Sequence, residues 1–216
     1  MNPALAGVAL AVVLGAVVAG SARNARTAAL GLIVAMVGGS FLADPLPGSI
    51  GLAARVVGSV LGGYLLWIAS RGTEARTGGS RLGWPVELLI AAAAAIVGYG
   101  SHGLGAPAGG PALAQAAGFA LAALAVAPLL NGHDVLRIGI GLHLLVGGAI
   151  LVRTALAGTP DALEQLVIAG LVATLGGVVA TVAAAARADG TEGFDLALAA
   201  GERPRRPPDA HPLEPR

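Results

Sequence analysis

The run ALAGVALAVVLGAVVAG, Ala4–Gly20, holds no charged, amide or hydroxyl side chain. An α-helix rises about 1.5 Å per residue, so a run of this length comes close to crossing the roughly 30 Å hydrocarbon core of a bilayer. No basic segment precedes it, unlike a cleaved leader, and it reads as a retained first transmembrane helix. The rest of the chain repeats the pattern. Thr27–Ala43, Ser49–Ser70, Trp84–Gly100, Ala112–Leu130 and Val135–Ala157 are apolar runs between short turns. A seventh runs from the Gly158–Asp161 turn to about Arg187. The runs are each roughly 17–25 residues long, which predicts an all-α, polytopic membrane bundle of about seven helices.

The composition agrees. Of 216 residues, 56% are hydrophobic and only 12% charged, with a mean hydropathy of +0.80. A soluble domain carries roughly twice that charge. The absence of cysteine excludes disulfides and thiolate metal or iron–sulfur sites. The four His residues form no metal-ligand motif, and a net charge of +1 argues against a nucleic-acid partner. No phosphate loop or hydrolytic triad is present, so no cofactor, metal or catalytic residue is expected. The 34 glycines suit helices that pack closely in lipid. Gly58 and Gly62 make a small-xxx-small pair, and Gly141 and Gly147-Gly148 mark close packing in the sixth helix.

The arginines orient the chain. With the N-terminus outside, Arg23, Arg26, Arg71, Arg76, Arg81, Arg137 and Arg187 fall on the inner side. The alternate loops Asp44–Gly48, Ser101–Pro111 and Gly158–Asp161 carry no Arg. An odd number of spans, with the C-terminus inside, satisfies this bias. Residues 1–187 form the predicted bundle, and 188–216 a polar cytoplasmic tail disordered from about Gly201.

Residues 134–196 carry a recognisable pattern. Leu136-Arg137 and Ile140-Gly141-Leu142 start one helix, and Thr159-Pro160-Asp161 forms the turn. Gln165 and Arg187 mark the next helix, and Gly190-Thr191 with Phe194-Asp195-Leu196 follow. This unit resembles subunit K of complex I, component C of the multi-subunit cation/proton antiporters, and component E of hydrogenase-4-type complexes. The chain's length and its extra helices ahead of the pair also resemble component E. The resemblance implies an accessory membrane subunit in the bacterial cytoplasmic membrane, beside larger antiporter-like subunits. It would support proton translocation, hold no redox cofactor and catalyse nothing alone. Where subunit K carries a glutamate after Ile-Gly-Leu, this chain has His143, and Leu166–Ala186 contains no carboxylate. The component E glutamate, expected near Val146 or Gly147, is also absent. The rival reading is a free-standing small permease; a membrane anchor with a recruiting tail is the third.

A charge inside hydrocarbon costs roughly 2.5–3.5 kcal/mol, so polar residues within spans need a reason. Three are candidates for a proton path. His143 is either a titratable relay group or a neutral donor of one interhelical hydrogen bond. Arg55 is expected to snorkel to the interface, or to pair with Asp44 or a partner's carboxylate. Glu87, in the first turn of its helix, is favoured by the helix dipole and reads as structural more readily than as proton-loading. Arg153 is placed to reach Glu164 or Asp161, Thr159 or Asp161 to cap the seventh helix, and Thr174 and Thr181 to bond a neighbouring helix.

Overall fold

The computed structural model describes residues 2–70, 83–104, 107–131 and 134–188. The expected polar tail and the basic loop with Arg71, Arg76 and Arg81 lie outside the described residues. Within them are seven α-helices and no strand: α1 (Pro3–Ser21), α2 (Ala25–Gly39), α3 (Ser49–Ala69), α4 (Trp84–Gly100), α5 (Ala112–Asn131), α6 (Val135–Ala157) and α7 (Ala162–Ala188).

Local chemistry sets the helix starts. The Asn2, Asn24 and Asp134 side chains accept from the backbone N–H two residues on, satisfying donors that a helix start leaves open. Asp161 accepts from the Glu164 N–H at 2.7 Å and caps α7, whereas the Thr159 hydroxyl donates to the Pro45 carbonyl. Burial pushes the Asp134 carboxyl above the usual range, against the Leu136 N–H and the Arg137 charge.

α2 departs from expectation. Asn24 starts it ahead of Thr27, and it ends at Gly39 rather than Ala43. Past the Gly38-Gly39 pair, Ser40, Phe41 and Leu42 bond the carbonyls three residues back, which tightens the last turn and stops the helix. Five helices (α1, α3, α5, α6 and α7) are long and apolar enough to cross a membrane; α2 and α4 are shorter, at 15 and 17 residues. The outward faces are apolar, with Leu89 70% and Ile96 72% exposed on α4.

Three helix pairs close on facing glycines. A Cβ on Gly15 of α1 would lie 2.8 Å from the Gly31 carbonyl oxygen of α2, and one on Gly31 would lie 2.7 Å from that of Gly15. Gly118 of α5 and Gly148 of α6 make the same reciprocal contact, each 2.8 Å from the other's oxygen. On α7, a Cβ at Gly176 would lie 2.7 Å from the Gly62 Cα of α3. The first two pairs run antiparallel. The third is parallel, since Gly51, Gly58 and Gly62 meet Gln165, Ala169 and Val172 in ascending order. α3 and α7 therefore form one group, and α1, α2, α4, α5 and α6 the other; α2 and α6 join the two.

The helix ends are tied across the bundle. The Gly109 and Gly110 N–H groups donate to the Leu156 and Ala155 carbonyls, so the loop before α5 closes the end of α6.

These contacts set a packing test. A methyl at Gly58 would meet the Ala169 carbonyl oxygen at 2.7 Å, whereas one at Gly170 meets nothing within 4 Å. Overpacking typically costs about 1–3 kcal/mol. Gly58→Ala should lower the thermal unfolding midpoint in lipid nanodiscs, and Gly170→Ala should leave it unchanged or raise it.

Candidate functional site

α3 presents Gly51, Arg55, Gly58 and Gly62 on the face that meets α7. Arg55 is the one long side chain in that stripe, flanked by glycines that leave it room. It does not snorkel: it is 6% exposed and turned into the bundle, and its Nη1 has no hydrogen-bond partner. No ion pair joins it to Asp44 among the described residues. Ser59, one turn further on and also buried, lines the same cavity.

That cavity lies where α2, α5 and α6 meet α3 and α7. Arg55, Ser59, Met36, Gly147, Ala169 and Val172 are among its walls. Its volume is about 10 Å³, the space of at most one water. Among the described residues, Arg55 is the only charged one that lines it.

His143 stands one turn from the cavity wall, in the α6 stripe Gly139, His143, Gly147. It is 1% exposed. Its Nδ1 lies 2.8 Å from the Gly139 carbonyl oxygen, which can only accept, so Nδ1 carries the hydrogen. Nε2 makes no second bond of full hydrogen-bond geometry, and the Val172 backbone of α7 acts on the ring. The ring therefore bonds within α6 and also meets the Val172 backbone of α7. Gln165, fully buried on α7 against Gly51, has an unpartnered Oε1. Arg55 and Gln165 thus keep incompletely bonded polar atoms along the α3/α7 face, and His143 meets α7 from α6.

Charge beside the seam is unevenly matched. Glu164 is the carboxylate whose attraction reaches Arg55. Its oxygen, however, is held by Arg153 at 2.5 Å, and Arg153 also donates to the Gly158 carbonyl at 2.8 Å. Two guanidinium groups share one carboxylate.

Glu87 belongs to a separate cluster at the opposite end. It is buried in the first turn of α4, over Gly20 of α1. Arg137 of α6 donates to the Gly20 and Ala22 carbonyls at 2.6 and 2.8 Å and lies within the field of Glu87. A cation is thereby placed on the open carbonyls at the C-terminus of α1, where the helix dipole favours it.

Sequence reasoning did not anticipate the Arg137 contacts or the part of Ser59 in the cavity. The available signal for Ser59 was its spacing of four from Arg55, which puts both on one helix face. Thr174 and Thr181 do not bond neighbouring helices: their hydroxyls donate to the α7 backbone, at Gly170, Leu171 and Val178. Among the described residues, no group of three or more His, Asp or Glu side chains could hold a metal ion. No protein-family model, curated protein or solved structure matches the chain.

A hydrogen bond to a charged group contributes on the order of 1.5–3 kcal/mol. Arg137→Met, which keeps length and loses both bonds, should lower stability by about that much or more in a denaturant titration. An unchanged midpoint would show that water replaces the guanidinium without cost.

Proposed function

We propose that this chain is an integral-membrane accessory subunit of a complex-I-like assembly, of the membrane-bound hydrogenase or multi-subunit cation/proton antiporter kind. It sits in a bacterial cytoplasmic membrane with seven spans, the N-terminus outside and the C-terminus inside. It packs against larger antiporter-like subunits, supports proton translocation structurally, holds no redox cofactor and catalyses nothing alone.

The pattern in residues 134–196 carries this reading. Two observations support it. His143, at the position where subunit K has a carboxylate, is buried on α6 against the α7 backbone. The outward faces of α4 and α7 are broad and apolar, with Leu163 71% and Val167 63% exposed on α7, as lipid or a membrane partner requires. A second reading, a small free-standing permease, is favoured by the cavity between the two helix groups, because transporters bind substrate at such junctions.

Extraction in mild detergent separates the two. The accessory subunit should migrate with several other membrane subunits. A monodisperse species of this chain alone, with transport activity after reconstitution, would establish the permease instead. Within an assembled complex, His143→Leu should reduce yield or stability and leave activity per complex unchanged, because Leu166–Ala186 of α7 offers no carboxylate to continue a relay.

The seven-span topology is tested at α4, whose 17 residues reach only about 26 Å. A small deficit is met by local bilayer thinning. Cysteines placed singly at Gly78 and Leu104, in the connections flanking α4, should label from opposite sides of the membrane. Labelling of both from one side would remove α4 as a span.

A further inference from the structure

We propose that the cavity beside Arg55 is a binding site for one small monovalent anion of halide size. The proposal is independent of the accessory-subunit reading, since it concerns this chain alone.

The buried guanidinium is its basis. Arg55 is more than nine-tenths buried, lines the cavity, and has an Nη1 donor with no partner. Breaking or omitting the counter-charge of a buried ion is among the costliest defects a fold can carry. Within the chain the compensating carboxylate would be Glu164, but that group is committed to Arg153 at 2.5 Å. Among the described residues Glu164 is thus shared by two guanidinium groups, of which only Arg55 is buried.

The rest of the cavity selects the ligand. Among the described residues no carboxylate lines it, so a cation would meet only Arg55 and be repelled. Ser59 adds a hydroxyl one turn along α3, and a hydroxyl donates to an anion as readily as to a carbonyl. The remaining walls include Met36, Leu121, Ile150, Leu151 and Val172, which exclude bulk water and strengthen any attraction to the guanidinium. A single water would satisfy the open N–H but leave the charge uncompensated. A multivalent oxyanion is too large for the space and would reverse the charge imbalance. A halide is the anion nearest in size to the single water the space admits, and it matches the single excess charge.

The test uses the full chain in lipid nanodiscs, with sodium chloride exchanged stepwise for sodium gluconate at constant ionic strength. Gluconate is too large to enter. The thermal unfolding midpoint should rise with chloride and saturate, and bromide should replace chloride. Ser59→Ala should shift half-saturation several-fold toward higher chloride. Arg55→Gln should abolish the response. Ser59→Asp supplies a tethered carboxylate opposite Arg55, so it should fold without chloride and no longer respond to it. This variant and Ser59→Ala decide the matter if Arg55→Gln does not fold. A natural chain without a saturable response would mean that the cavity holds water only, and would overturn the proposal. A response of natural strength in Ser59→Asp or Arg55→Gln would overturn it equally.

Discussion

The bundle depends on how closely its helix backbones approach. Between helices in lipid there is little hydrophobic driving force, because the surrounding chains are as apolar as the helix faces. Association rests instead on van der Waals contact, which falls off within an ångström of separation. Here close approaches occur where glycine meets glycine, Gly15 with Gly31, Gly118 with Gly148 and Gly62 with Gly176, and where Gly58 meets Ala169. Each crossing is near enough that a single methyl would strike backbone. Direction follows from the same contacts, two pairs running antiparallel and one parallel. The polar ties at the ends, such as Arg137 on the last carbonyls of α1, secure an arrangement that the crossings have already set.

Close backbone packing also explains where the unusual polar groups sit. Glycine stripes build narrow, tightly apposed pairs, but a pair built of small residues leaves little side-chain volume to fill the junction with its neighbours. On α3 the one large residue in the stripe is Arg55, and it projects into that junction. His143 stands between two glycines on α6 in the same way. The seam between the α3/α7 pair and the other five helices is consequently polar in places, incompletely bonded and slightly hollow, while the outer surface remains apolar.

Much of this was legible in the chain, and the remainder was not for identifiable reasons. Seven apolar runs and their turn residues correspond to the seven helices, and Asp161 capped α7 as its position suggested. Gly58 and Gly62 were readable as a packing face because helical periodicity is local information. The early stop of α2 was harder. Phe41, Leu42 and Ala43 continue the apolar run, and only the geometry after Gly38-Gly39 shows that they leave the helix. The inward turn of Arg55 was hidden for another reason. Whether a long cation near a helix end snorkels or turns in depends on which helix covers its face, and that helix begins more than a hundred residues later. Thr174 and Thr181 share a face, as their spacing of seven requires, but that face is exposed, so their hydroxyls close on their own backbone.

The parallel pairing of α3 with α7 has a consequence for how the protein is made. Synthesis delivers α3 early and α7 last, at about 5–20 residues per second. For several seconds the third helix is complete while its glycine face, with Arg55 in the middle, has nothing to lie against. Neighbours that arrive sooner can bury other parts of α3, but none supplies the groove that fits this stripe. The nascent chain therefore holds an exposed cation and a sticky backbone ridge at membrane depth until its final helix emerges. Of the seven described helices, the last to leave the ribosome is the one that closes the bundle, and the helices before it form an open-sided intermediate dependent on the insertion machinery or on a neighbouring protein for cover.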